Sequence, residues 1–313
     1  MNHLLNIIAR MLTAASLLAI STLAIASPQA LATLQVPATV VGDDNAEQLH
    51  DEISPAQEQA MWSAIRHNVG LMQKQGVLIA PNIAQTVTYN FPLRMAAGLP
   101  DTAGFRVSAF VDHNPAIGSV LDYNGGSRTY DGHRGTDYAL WPHNWNKVDA
   151  GAVEVIAAAA GTIAYKSDTD ATDHHPCDAG SVNDQWNYVA LVHADGRLSM
   201  YGHLRHNSLT SKGLGQTVAQ GEYLGTVASS GNSSGPHMHF EMRSGNFTNE
   251  EWIDPYAGPH SQPGSMWASQ RPYIDSAINK LSTHSAQPVD TPCQPTVTNV
   301  QDNFSTPAKI RFY

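Results

Sequence analysis

The chain has 313 residues, only 14% of them charged, with 17 basic against 27 acidic side chains and a formal charge of −10. It contains no run of lysine or arginine, so it lacks the electrostatic footprint of a nucleic-acid binder or of a protein docked on an anionic membrane surface. Fifteen histidines nearly match the lysines and arginines together, and a 42% hydrophobic content excludes disorder as a class and leaves ample chain for a core.

Residues 1–26 read as a signal peptide: a short lead ending at Arg10, an apolar stretch Met11–Ile25 and the A-x-A pattern Ala24-Ile25-Ala26. The apolar part is about 15 residues, short of the roughly 20 that span a bilayer. The sequence therefore predicts cleavage after Ala26, with Ala32 as second choice, and an exported protein, periplasmic or extracellular, with no transmembrane segment left. Export permits disulfides, and Cys177 and Cys293 are the one available pair. A bridge between them would tie the C-terminal tail to the body, but spacing alone does not establish it.

Residues 27–53 are polar, with an acidic patch from Asp43 to Glu52. Ser54-Pro55-Ala56-Gln57 starts a helix, with Ser as N-cap, Pro at the first position and Gln three residues on. Met61, Ile65, Val69 and Met72 then recur at helical spacing, and Gly76 offers a stop. From Val77 the pattern becomes short runs rich in Val, Ile, Tyr and Thr: 86–91, 106–111, 153–157, 162–166, 188–193, 198–204, 223–228 and 238–242. Ala194-Asp195-Gly196-Arg197 reads as a hairpin connection between two of them. Such spacing, with no long helix among the strands, predicts a mainly β, antiparallel or barrel-like domain. Residues 167–187 form a polar insertion. The tail after Pro255 is rich in Pro, Ser and Gln, with a short helix expected near 274–281 and a strand-like end at 309–313.

Three segments concentrate histidine and aspartate: His133-Arg134-Gly135-Thr136-Asp137, Tyr201-Gly202-His203-Leu204 and Gly235-Pro236-His237-Met238-His239-Phe240-Glu241. Residues two apart on a strand share a face, so His237 and His239 can address one site. Imidazole and carboxylate are zinc ligands, and a catalytic zinc takes three protein ligands plus water. His133, Asp137 and His239 supply that set, leaving His203 and His237 for the water and the substrate. Each motif alone is weak; their combination in this order is specific. No H-E-x-x-H is present, which removes a glutamate base of the thermolysin type. A zinc D,D-carboxypeptidase with the same ligand types wants a glutamate three residues before H-x-H, where Ser234 stands. Asp173-His174-His175-Pro176-Cys177-Asp178 mimics a metal site but reads better as a surface loop, as do His113, His143, His206 and His260.

Residues 133–140 (HRGTDYAL), 200–204 (MYGHL) and 234–241 (SGPHMHFE) resemble the three signatures of the lysostaphin-type (LytM-like) zinc metallopeptidases, a family that includes peptidoglycan endopeptidases. The resemblance covers roughly residues 90–255 and implies an antiparallel β fold with one zinc ion in a groove. It implies His133, Asp137 and His239 as ligands and His203 and His237 as the catalytic pair, His203 being the first choice to take the water's proton. Glu241 reads either as a carboxylate orienting a ligand histidine or as a strand-end charge, and Tyr130 either as a substrate contact or as a packed aromatic. The insertion around Cys177 and the enlarged stretch 141–152 depart from the family pattern and bear on substrate preference. The expected organisation is a signal peptide (1–26), an N-terminal region with one helix (27–88), a peptidase domain (89–258) and a C-terminal extension (259–313). The expected substrate is peptidoglycan peptides. Glycine-rich protein segments are the alternative substrate, and a catalytically inactive wall-binding module is the alternative class, from which chains with a complete ligand set are set apart.

Overall fold

The computed structural model describes residues 53–78, 86–99, 104–141, 143–173, 175, 186–244 and 252–274, and the backbone of strands at 281–284 and 309–312. The expected signal peptide, both cysteines and His174 lie outside these residues. No described helix is long and apolar enough to cross a membrane.

The first element, α1 (Pro55–Lys74), begins where the sequence placed it. The Ser54 side chain accepts from the Gln57 backbone N–H, the Gln57 side chain accepts from the Ser54 N–H at 2.7 Å, and Gly76 follows the C-cap with φ 70°. The strands are β1 (Leu93–Met95), β2 (Phe105–Ala109), β3 (Thr136–Leu140), β4 (Val153–Ile156), β5 (Gly161–Ser167), β6 (Tyr188–Val192), β7 (Leu198–Gly202), β8 (Thr217–Val218), β9 (Tyr223–Thr226), β10 (His237–Arg243), β11 (Leu281–His284) and β12 (Lys309–Phe312). A short helix, α2 (Asn144–Asp149), lies between β3 and β4. All strand pairings between these elements are antiparallel.

Seven strands form an open sheet in the order β2-β3-β10-β7-β6-β5-β8, and β1-β4-β9 form a second sheet. One face of the large sheet, with Tyr138, Met238, Phe240, Tyr201 and Leu191, joins Leu93, Val153, Val155 and Leu224 of the small sheet in the main core. The other face is shared between two tasks. Its β6–β7 half, with Tyr188, Ala190, Val192, Leu198 and Met200, is covered by Met61, Trp62, Ile65, Val69 and Met72 of α1. In register beside it, β10 pairs His239 with Gly202, Glu241 with Met200 and Arg243 with Leu198. Directly opposed residues of an antiparallel pair share a face, so the histidine strand and α1 stand on the same side of the sheet.

Several expectations shift. The run 86–91 makes only a bridge, Tyr89 to Trp267, because the strand proper starts after Pro92. β3 and α2 were not anticipated as elements. Most of the helix expected near 274–281 lies outside the described residues; β11, which begins at Leu281, pairs with β12. The hairpin at 194–197 is present, with Gly196 at φ 84° and Asp195 Oδ1 accepting from the Arg197 N–H at 3.0 Å.

Candidate active site

The site is built where β3 and β10 pair. Asp137 lies directly opposite His239, and His133 reaches the same point from the turn before β3. Gly135 makes this approach feasible: a Cβ there would lie 2.4 Å from His239 Nε2 and 2.8 Å from the Phe240 carbonyl.

Backbone carbonyls fix the ring orientations. His133 Nδ1 donates to the Phe110 carbonyl at 2.6 Å, which turns Nε2 inward. His239 is reversed, with Nδ1 inward and Nε2 facing Glu241 Oε2 at 3.5 Å. His133 Nε2 is thus 3.2 Å from Asp137 Oδ1 and 3.3 Å from His239 Nδ1, while His239 Nδ1 is 3.0 Å from Asp137 Oδ1. With the outer nitrogens protonated, three lone pairs converge on one point in a buried site, an arrangement that a cation relieves. Tetrahedral ligands about 2.0–2.1 Å from zinc lie about 3.3–3.4 Å apart. The donor set and its spacing fit such an ion. Among the described residues, His133, Asp137 and His239 are the group of this kind.

His203 and His237 stand beside it with ring centroids 4.3 Å apart. Both are anchored through Nδ1, His203 to the Ser230 carbonyl and His237 to the Gly235 carbonyl at 2.7 Å. His237 Nε2 is 3.8 Å from Asp137 Oδ1. Anchoring of Nδ1 as the donor leaves each Nε2 able to accept a proton. The glycine-serine loop 229–235 therefore has a task the sequence did not reveal: its carbonyls orient both rings. His203 sits at φ 58°, in the left-handed region that a non-glycine residue seldom adopts.

Glu241 is fully buried. Burial would raise its carboxyl, but Arg243, hydrogen-bonded to it, and His239 outweigh that and hold it well below the usual carboxylate range. Tyr130 stacks on His133 with ring centroids 4.2 Å apart. Trp186 was missed by sequence reasoning. It is buried between His203 and His239, with ring centroids 4.8 Å and 5.0 Å away. Gly202 and Gly231 make room for it, since a Cβ at either would approach the indole to 2.7 Å or 2.4 Å. A lone tryptophan ending a polar insertion was the available signal. The remaining histidines go elsewhere: His113 pairs with Asp254 at 2.8 Å, His206 with Asp168 at 2.9 Å and His175 with Asp149 at 2.8 Å. His143 is buried at the start of α2, not exposed as a loop residue would be.

Residues 132–255 match the model of Peptidase family M23. The matched stretch, 124 of the 313 residues, is similar to an M23 peptidase domain. Among curated proteins, the chain is similar to the cell division protein DipM of Caulobacter vibrioides, 38% identical over 89 residues, covering 28% of this chain and 12% of DipM. It is also similar to the DD-carboxypeptidase/endopeptidase Mpg of Neisseria meningitidis serogroup B, 34% identical over 111 residues, 36% of this chain and 20% of Mpg. The chain thus matches a fifth or less of the length of these relatives. Among solved structures, the catalytic domain of lysostaphin from Staphylococcus simulans aligns at TM-score 0.31 and 21% identity, covering 50% of this chain and 95% of that one. The catalytic domain of EnpA from Enterococcus faecalis aligns at TM-score 0.34 and 22% identity, covering 55% and 96%. Every residue of the site from His133 to Glu241 falls inside the matched stretch, whereas α1 falls outside it.

Proposed function

We propose that this protein is an exported zinc-dependent endopeptidase that hydrolyses peptide bonds in peptidoglycan cross-links or stems. The observation that carries the reading is the convergence of His133 Nε2, Asp137 Oδ1 and His239 Nδ1 beside two Nδ1-anchored histidines within an M23 domain. Residues 1–26 support export, and the likeness to Mpg supports a peptidoglycan substrate.

His133, Asp137 and His239 would hold the ion. When bound, zinc lowers the pKa of a water and polarises the scissile carbonyl. The chain's own groups move the protons. His203 Nε2 accepts the proton of the attacking water and passes it to the leaving amine, while His237, when it carries a proton on Nε2 as well as on Nδ1, donates to the developing oxyanion. Trp186 excludes water from the inner side of the His203 and His239 rings. The ion pair of Glu241 with Arg243 keeps a carboxylate behind His239, which holds that ring in its ligand tautomer.

The test is metal analysis of purified protein and mass spectrometry of muropeptides released from sacculi, with Asp137→Asn and His203→Ala as controls. About one zinc per chain and shortened cross-links or stems in the native digest alone are expected. Unchanged muropeptides from the zinc-loaded protein would refute the substrate. The name of Mpg favours a second reading, removal of a single C-terminal stem residue without loss of cross-links, and the product masses separate the two.

A further inference from the structure

The orientation of His239 directs its Nε2 away from the other ligands and toward Glu241, 3.5 Å off. Glu241 has two donors to satisfy, His239 Nε2 through Oε2 and Arg243 Nε through Oε1. Arg243 is two residues along the same strand, hence on the same face, and both side chains are almost fully buried. A buried guanidinium beside a carboxylate favours a bidentate pairing, which would draw both oxygens of Glu241 to Arg243 and strip His239 of its acceptor.

A third group competes for the guanidinium. Glu58, in the first turn of α1, accepts from Arg243 Nη2 at 3.1 Å. The same oxygen accepts from Arg134, the neighbour of His133, and from Trp62 Nε1 at 3.4 Å. Trp62 lies under the Arg243 guanidinium at 4.8 Å. The order of charge is Glu241, Arg243, Glu58, Arg134, alternating in sign from behind one histidine ligand to beside the other.

We propose that Glu58 is a positioning residue of the metal centre: by engaging Arg243 it reserves one Glu241 oxygen for His239, so that α1, which lies outside the M23 domain, completes the site. The proposal rests on the zinc-peptidase reading above. A plain staple between helix and sheet is the competing role, and it makes a different prediction.

The full-length protein, Glu58→Gln and Met72→Ala are compared. Met72 is buried near the C-terminal end of α1, whereas Glu58 lies in its first turn. Zinc affinity is read by competition with a chromogenic chelator, the cobalt(II)-substituted proteins by their visible absorption, and the metal-free proteins by thermal unfolding. Glu58→Gln is expected to weaken zinc binding about 10-fold or more and to shift the cobalt spectrum, with little change in metal-free unfolding. Met72→Ala is expected to lower the unfolding temperature and leave zinc affinity within about twofold. Affinity and spectrum unchanged in Glu58→Gln, or an equal loss of affinity in Met72→Ala, would overturn the proposal. If the parent protein binds no zinc that Asp137→Asn abolishes, the zinc-peptidase reading falls first, and this proposal with it.

Discussion

At the scale of single residues, the site depends on small groups as much as on its ligands. Replacing Gly135 by alanine would bring a methyl 2.4 Å from His239 Nε2 and against the Phe240 backbone, which cannot yield. His239 must rotate, so Gly135→Ala should lose zinc and lower kcat/KM by about 100-fold, seen by metal analysis and peptide hydrolysis. Normal zinc content in that variant would contradict the packing argument. This dependence also explains what was legible in the chain. His133, Asp137, His203, His237 and His239 were readable because metal chemistry demands those residue types and a strand gives them a fixed spacing. Trp186 and the Ser230 carbonyl were not, because their contribution lies in contacts across 17 to 53 positions of sequence, and the Gly235 carbonyl, two positions from His237, was not because a backbone group carries no chemical signature.

At the scale of elements, α1 was legible almost to the residue because its boundary is written in hydrogen bonds between neighbours. Ser54→Ala removes the cap and should cost about 1 kcal/mol by denaturant unfolding. Gly70, by contrast, has nothing within 4 Å of where its Cβ would lie and sits in the helix interior. Gly70→Ala should therefore stabilise the protein by about 0.5–1 kcal/mol in the same assay. β3 escaped detection because its sequence is read first as a ligand motif, and five buried or half-buried residues between two strands show no alternation. α2 escaped because six residues carry too little periodicity. The segment after β5 offers a pH test. Burial raises the Asp173 carboxyl to about 6, outweighing the hydrogen bond from the His206 backbone N–H that favours its charged form. A raised acid binds its proton more tightly folded than unfolded, so its stabilising contribution is present at low pH and is lost as pH rises from about 4 through about 6. Urea midpoints should accordingly show the parent protein gaining on Asp173→Asn as pH falls across that window; a constant difference would mean Asp173 does not titrate there.

At the scale of the whole molecule, two cores share one sheet, and the active site lies at the seam between them. The fragment 89–258 lacks α1 and leaves Tyr188, Ala190, Val192, Leu198 and Met200 without their cover. It should bind a hydrophobic dye and unfold at a lower temperature than the full chain. The metal itself should link the two halves of the domain. His133 and His239 are 106 positions apart, so an unfolded chain cannot present the three ligands together, and zinc binds the folded state alone. At a free zinc concentration of 100 times the dissociation constant, this linkage adds about 2.7 kcal/mol to stability. For a chain of 313 residues, with an unfolding entropy of about 2.1 cal/mol/K per residue, that corresponds to a rise of roughly 4 °C in unfolding temperature. A chelator should remove the rise, and Asp137→Asn, which keeps the shape of the ligand but not its charge, should never show it. An equal rise in Asp137→Asn would place the stabilising ion somewhere other than between His133, Asp137 and His239.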